Sequence, residues 1–267
     1  MANDTNGSGL LAGKTIVVTG VGTGLGKEVA AAIVRDGANL VIGARTESQL
    51  AAVADELDPT GERVSYVATD IADPEACERI VAHAVEKFGR LDGIAQIAAY
   101  EGAMGNLSAT SMNRIRKSMD INLIGSLQMV KAAAPALKEA GGGSVVLIGS
   151  QSMYLPLIDQ IGYAASKGAL LTAMFHLAKE LGPDHIRVNT VVPSWMWGPP
   201  VQMYVDWQAS ERGISGDEVK AEIEAGIPLG EIVADEDVAD AVAFFLSDRA
   251  RMITGQSLMV NGGELMR

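Results

Sequence analysis

Tyr163 and Lys167 stand four residues apart in Tyr163-Ala164-Ala165-Ser166-Lys167, at the start of a stretch ending near Leu181 whose apolar spacing predicts a long helix. That spacing brings both side chains onto one helix face. An ammonium beside a phenol favours the phenolate and draws a tyrosine pKa down from about 10 toward neutrality, so the pair can give and recover a proton. Tyr and Lys at this distance also occur on solvated helix surfaces, so neighbours decide the reading. Ser150 precedes Tyr163 by thirteen residues and follows the predicted strand Ser144–Ile148, which places its hydroxyl at the carboxyl edge of a sheet.

A second constellation is a turn. Predicted strand Thr15–Thr19 runs into Gly20-Val21-Gly22-Thr23-Gly24-Leu25-Gly26, then into an amphipathic stretch from Lys27 to Asp36. Glycines let a backbone approach a pyrophosphate, whose charge is stabilised by amides and by the dipole at the helix start. The order strand, turn, helix separates this from an ordinary glycine-rich turn and points to a dinucleotide. The next strand ends Ile42-Gly43-Ala44-Arg45-Thr46, with no carboxylate for the adenosine ribose hydroxyls of NAD. Arg45 can instead make a forked contact with a 2′-phosphate, and Thr46 can donate a hydrogen bond, which favours NADP(H) with NAD(H) as the alternative. A solvated Arg45 is the plain reading, and Thr23 supplies no second basic group. Asp70 closes the third strand, placed either to accept from an adenine amino group or to cap the following turn.

These groups need a scaffold that gathers them at one edge. Short β-branched runs (Thr15–Thr19, Leu40–Ala44, Val64–Ala68, Ile94–Ala98, Ser144–Ile148, Arg187–Val192) alternate with helical stretches, and Ser257–Val260 adds a last strand. The alternation predicts a seven-stranded parallel sheet with right-handed crossovers. Its size of 267 residues and apolar fraction of 48% suit one domain over 11–267, behind a flexible tail at 1–10. Ser194 to Ile227 breaks the rhythm with three tryptophans, prolines and glycines, and reads as a lid over the ligand crevice. A net charge of -12 argues against nucleic acid and anionic membranes as partners. No apolar run approaches the ~20 residues of a membrane span. With a single cysteine, Cys77, and no leader pattern, the expected location is the cytoplasm. His83, His176 and His185 show no metal-ligand spacing, so no metal is expected; Arg114, Arg116 and Lys117 read as a solvated helix face.

The turn Thr19-Gly20-x-x-x-Gly24-Leu25-Gly26, Asp70-Ile71, Asn122 in Asn122-Leu123-Ile124-Gly125, Ser150 and Tyr163-x-x-x-Lys167 together resemble the short-chain dehydrogenase/reductase family, over essentially all the chain after residue 13. The resemblance implies an α/β fold of Rossmann type, a doubly wound parallel sheet with helices on both faces. It implies hydride exchange between a nicotinamide dinucleotide and a ketone or secondary alcohol. Tyr163 would protonate the carbonyl oxygen, with Ser150 hydrogen-bonding the same atom. Lys167 would bind the nicotinamide ribose and, through a water held by the Asn122 backbone, link Tyr163 to solvent. Gly20, Thr23, Gly24, Leu25, Gly26, Asp70, Ile71 and Ala98 would contact the cofactor. Tetramers, or dimers, would form through helices around Thr110–Leu137 and Tyr163–Leu181.

Three places depart from the family pattern. Gln96-Ile97-Ala98-Ala99 replaces the usual Asn-Asn-Ala-Gly, which alters the floor under the cofactor. Ser194 replaces a glycine, and Gly198 a threonine that holds the carboxamide, shifting nicotinamide anchoring onto the Met196 backbone. Ser152, Met153, Tyr154, Trp195, Trp197, Met203, Tyr204 and Trp207 are the candidate pocket, and their bulk suggests a hydroxysteroid, terpenoid or aromatic ketone; the plain reading is that several only pack the lid. The rivals are a 3-oxoacyl-thioester reductase, whose acidic carrier would want a basic rim, a sugar-nucleotide enzyme of the extended relatives, whose larger C-terminal domain has no counterpart, and a non-catalytic dinucleotide-binding or structural protein.

Overall fold

The computed structural model describes residues 9–103 and 105–267; most of the expected N-terminal tail, 1–8, lies outside the described residues. Seven strands form one sheet: β1 (Thr15–Thr19), β2 (Asn39–Ala44), β3 (Val64–Ala68), β4 (Gly93–Gln96), β5 (Gly143–Ile148), β6 (Ile186–Pro193) and β7 (Ser257–Val260). Their order is β3-β2-β1-β4-β5-β6-β7, and every pairing is parallel. Strand order therefore reverses between β1 and β4, and a crevice opens at the carboxyl ends beside that switch. Every predicted strand is present, with ends shifted by two residues at most.

Alternation along the strands divides the core. Ile16, Val18, Leu40, Ile42 and Val146 face α1 (Leu25–Arg35), α2 (Glu47–Leu57) and α9 (Asp235–Leu246). Val17, Val41, Ile94, Val145 and Leu147 face α3 (Pro74–Phe88), α5 (Ser126–Glu139) and α6 (Ile161–Leu181). Such runs, apolar on both faces, are what a sheet covered on both sides requires. Helix ends follow local chemistry. Asp73 caps α3 by accepting from the Glu75 amide, Pro74 opens it, and Gly89 ends it in the left-handed region.

The helical stretch expected around 110–137 is not uniform. α4 (Met112–Ser118) passes into a π-helical turn, Met119–Gly125, before α5 continues. This widened turn contains Asn122, whose carbonyl accepts from the Ser126 hydroxyl at 2.8 Å. The irregular segment after β6 is also largely helical: α7 (Pro199–Arg212) and α8 (Gly216–Ala225), the latter begun by a Ser215/Glu218 capping box.

The glycine turn brings backbone very close to backbone. Gly20 has φ +84°, and a Cβ there would lie 2.3 Å from the Ala98 amide nitrogen; a Cβ on Gly26 would lie 2.3 Å from the Gly20 carbonyl oxygen. Backbone meets backbone at both points, so no rotamer change can relieve a side chain. Gly26→Ala is expected to lower unfolding free energy by about 2–3 kcal/mol, read from urea denaturation. An unchanged midpoint would mean that α1 can slide away from β1.

Candidate active site

Three elements converge on one cavity. β5 ends at Ile148 and delivers Ser150, α6 carries Tyr163 in its first turn and Lys167 in its second, and β6 ends at Pro193 before Ser194-Trp195-Met196. Ser150, Ser152, Tyr163, Ser194, Trp195, Met196 and Tyr204 all line this cavity, about 330 Å³ in volume. A second cleft, about 370 Å³, follows the glycine turn and the ends of β2 and β3; Gly24, Leu25 and Glu101 line both.

Ser150 is oriented by a neighbour. The Ser152 hydroxyl donates to Ser150 Oγ at 2.9 Å, and the Ser152 amide to the same atom at 3.3 Å. With its oxygen already accepting, the Ser150 proton is free to point at an oxygen opposite, and Tyr163 is its partner. Lys167 is buried, its Nζ donating to the Ile148 carbonyl at 2.7 Å and lying 5.6 Å from the centre of the Tyr163 ring. Burial pushes its pKa down to about 8, with Glu101 acting in the opposite direction.

The phenol itself does not follow the sequence expectation. Burial raises the Tyr163 pKa well above the ordinary tyrosine value, the Glu101 charge adds to that, and only the hydrogen bond with Ser150 works the other way. Desolvation outweighs the hydrogen bond from Ser150, so Tyr163 is held protonated, the form that can donate.

Asn122 works through its side chain. Its Oδ1 accepts from the Tyr100 amide at 2.6 Å, and its Nδ2 donates to the Tyr100 carbonyl at 3.1 Å and to Ser166 Oγ at 2.9 Å. It thereby ties the loop after β4 to the helix that carries Tyr163. Gln96, the first departure from the family pattern, lies buried beneath this loop. The Thr19 hydroxyl donates to its Oε1, and its Nε2 reaches the Ala98 carbonyl at 3.2 Å and Ser126 Oγ at 3.4 Å.

Of the residues expected at the cofactor, Gly20, Gly24, Leu25, Gly26, Arg45, Thr46, Asp70, Ile71 and Ala98 line the elongated cleft. Thr23 points out of it and is exposed; Met196 lines the cavity instead, its carbonyl accepting from the Gly198 amide at 2.7 Å. Asp70 Oδ1 accepts from the Ala72 amide at 3.0 Å, the capping alternative, while the residue still faces the cleft. Arg45 is exposed and makes no ion pair among the described residues, whereas Lys27 is engaged by Glu56 at 2.7 Å. This cleft suits a nicotinamide dinucleotide: its glycine floor has no room for a Cβ at Gly20 or Gly26, and the α1 amides begin there. When bound, that group gives or takes the hydride.

A family model described as enoyl-(acyl carrier protein) reductase matches residues 20–264. An L-rhamnose 1-dehydrogenase (NAD(P)(+)) of Azotobacter vinelandii is 34% identical over 261 residues, spanning 95% of this chain and 97% of its own. Dehydrogenase/reductase SDR family member 4 of Homo sapiens is 32% identical over 253 residues, spanning 95% and 88%. The solved structure of a short-chain type dehydrogenase/reductase from Mycobacterium ulcerans superposes with a TM-score of 0.86 at 31% identity, covering 95% of this chain and 90% of that one. The chain belongs to the short-chain dehydrogenase/reductase family. It is an NAD(P)-dependent oxidoreductase acting on CH–OH and C=O groups.

Several site residues of this dehydrogenase/reductase escape sequence reasoning. The Glu264 carboxylate accepts from Gln151 Nε2 at 2.6 Å, from Trp195 Nε1 at 3.2 Å and from the Ser194 hydroxyl, and Asn261 Nδ2 donates to Gln151 Oε1 at 2.6 Å. The segment after β7 thus clamps the loop behind Ser150 to the loop that enters α7, across more than a hundred residues of sequence. Glu101 and Asp235 put two carboxylates on the cavity wall. Burial raises the pKa of both; Lys167 opposes this at Glu101, and Glu236 reinforces it at Asp235.

Five of the expected pocket residues do not line the cavity. Met153 packs between Gly149 and Gly168, and Tyr154 stacks under Arg267 at 4.1 Å. Trp197 lies under Lys220 at 4.9 Å on the α7–α8 surface, Met203 is exposed, and Trp207 packs on the outer side of Tyr204 at 6.1 Å. A helix has two sides, and α7 turns Tyr204 inward while Met203 and Trp207 project outward.

The Lys167 shift has a stability consequence. Its folded pKa, about 8, lies below the ordinary 10.5, so between these values the unfolded chain binds more protons and stability rises with pH. The cost of the buried ammonium, roughly 3 kcal/mol, is present in full below pH 8 and lost above 10.5. The stability advantage of Lys167→Met over the wild type should therefore shrink as pH rises from 7 to 10.5 in paired urea titrations. A difference independent of pH would show that Lys167 is not desolvated.

Proposed function

We propose that the chain interconverts a ketone and a secondary alcohol, with Tyr163 giving and taking the proton at the oxygen, Ser150 hydrogen-bonding that oxygen, and Lys167 holding the nicotinamide ribose. The observation that carries this is the shared cavity: Ser150 and Tyr163 open into one space, contiguous at Gly24, Leu25 and Glu101 with the glycine cleft. Donors aligned on one oxygen stabilise its developing charge without reorganisation. The substrate is read as a bulky, largely apolar molecule, because the wall is mainly apolar and includes Leu155, Ile158, Trp195, Met196, Val201 and Tyr204. Glu101 and Asp235 on that wall would repel a ligand on an acidic carrier, which weighs against a 3-oxoacyl thioester. The relative from Azotobacter vinelandii acts on L-rhamnose by its name, so a sugar belongs on the assay panel.

NADP(H) is the cofactor we propose, since Arg45 lines the cleft and makes no ion pair among the described residues, and no carboxylate ends β2. One domain with α7 and α8 as the cover of the cavity, and assembly through α4–α5 and α6, complete the reading; Met112, Ile124, Ile161 and Phe175 on these helices are exposed apolar groups. Among the described residues no helix is long and apolar enough to cross a membrane, and we place the protein in the cytoplasm.

Two measurements test this. Tyr163→Phe should retain dinucleotide binding and lose turnover by at least about 10²-fold, the scale of general acid catalysis; turnover within threefold of wild type would remove Tyr163 from the chemistry. Arg45→Asp should lower kcat/KM for NADPH by about 10–100-fold, the scale of a charge-assisted contact, and leave NADH nearly unchanged. A wild type that strongly prefers NADH would refute the Arg45 assignment.

A further inference from the structure

Glu101 carries a carboxylate that the proton-transfer chemistry above does not use. It lines both the cofactor cleft and the cavity of Ser150 and Tyr163, at the place where the two join. Among the described residues it makes no hydrogen bond and no ion pair. It lines the same cavity as Tyr163, and its charge bears on both members of the proton-transfer pair, Tyr163 and Lys167.

The backbone that bears it is fixed on both sides. Tyr100, immediately before it, has its amide and its carbonyl engaged by the Asn122 side chain at 2.6 and 3.1 Å. Beyond it, Ala103 is fully buried against the start of α6, where a Cβ on Gly162 would meet it at 2.7 Å, and the Gly105 amide donates to the Asp159 carbonyl at 2.7 Å. Glu101 itself is solvent-exposed where it lines the two spaces, so a bound ligand would displace the water around its carboxylate and leave lone pairs that only a donor can satisfy.

We propose that Glu101 is a specificity-determining residue that accepts a hydrogen bond from a donor on the carbon next to the reacting one, so that the substrates are vicinal diols or amino alcohols and their ketones. This rests on the oxidoreductase reading above. Tyr163 and Ser150 hold the reacting oxygen on one side, and the neighbouring substituent then meets the cofactor side of the cavity, where Glu101 stands. A substrate without a donor there buries the carboxylate unpaired and is rejected for that reason. The rest of the wall is mainly apolar, so the ring or chain bearing the two functional groups can be hydrocarbon.

The test uses the full chain with NADP+ and three alcohols of one shape: cyclohexanol, trans-cyclohexane-1,2-diol and trans-2-aminocyclohexanol. Wild type should favour the donor-bearing compounds in kcat/KM by about 10–100-fold, the range of a hydrogen bond to a charged acceptor. Glu101→Leu should bring these ratios close to one. Glu101→Gln, which keeps an accepting oxygen and loses the charge, should retain the diol ratio if a hydroxyl is read and lose the amino alcohol ratio if an ammonium is read. Ratios that survive in Glu101→Leu overturn the proposal, as does a loss confined to NADP+ affinity, which would assign Glu101 to the cofactor ribose. Equal turnover of all three alcohols by wild type overturns the role of Glu101 alone, whereas no turnover of any, with NADP+ bound, overturns the bulky, largely apolar secondary-alcohol substrate proposed above as well.

Discussion

Lys167 takes its ammonium into the protein, donates to the Ile148 carbonyl, and finds no counterion in contact among the described residues. A buried cation without a paired anion is among the most expensive arrangements a fold can contain, and the surroundings of the site follow from tolerating it. Ile148, the last residue of β5 and still in register with Val191, presents its carbonyl to that ammonium. The α6 turn must place Tyr163 beside the ammonium, near enough for its ring to lie 5.6 Å away. Glu101 compensates from a distance, which leaves the charge uncancelled and able to act on a ligand. A contact ion pair would be more stable and would leave nothing for a ribose hydroxyl.

The floor beneath that pair depends on a polar network that replaces a familiar pattern. Gln96 stands at the end of β4 where the family usually has asparagine, and its longer amide links Thr19, Ala98 and Ser126 in one buried set. Ser126 in turn donates to the Asn122 carbonyl, and the Asn122 side chain pins Tyr100 and Ser166. β1, β4, the π-helical turn and α6 are thereby coupled through side chains that are all satisfied, the condition under which buried polar groups rigidify a core. The widened turn has a clear use here. By departing from α-helical pairing it lets Asn122 reach across to the loop after β4.

Elements governed by short-range pattern were legible in the sequence. All seven strands follow from β-branched runs bounded by glycine and turn residues, and the glycine cleft follows from steric demands at Gly20 and Gly26. The convergence of Ser150 and Tyr163 on one cavity, with Lys167 buried beside the Tyr163 ring, was reachable because helical spacing and a strand end are local facts. What sequence concealed was orientation and distance. Bulk nominated Met203 and Trp207 for the pocket, yet helix phase in α7 turns them outward while Tyr204 enters. The lowered phenol pKa was argued from one neighbour, and burial reversed it, a quantity that exists only after folding. Glu264 lies 113 residues from Gln151, and no periodicity links them.

That long-range clamp bears on how the cavity is shaped. Trp195 is a wall residue at the base of a segment whose outer face is exposed, so its position is not fixed by core packing alone. Its indole nitrogen is held by Glu264, its ring lies 5.3 Å from Tyr204, and Ser194 before it is bound by the same carboxylate. Because Glu264 also binds Gln151, next to Ser150, one side chain sets the distance between the proton-transfer groups and the aromatic wall facing them. α7 opens directly after this base, at Pro199, and contributes Tyr204 to the cavity wall. The shape of the cavity and the placing of the proton-transfer groups are thus tied together at the floor of the site.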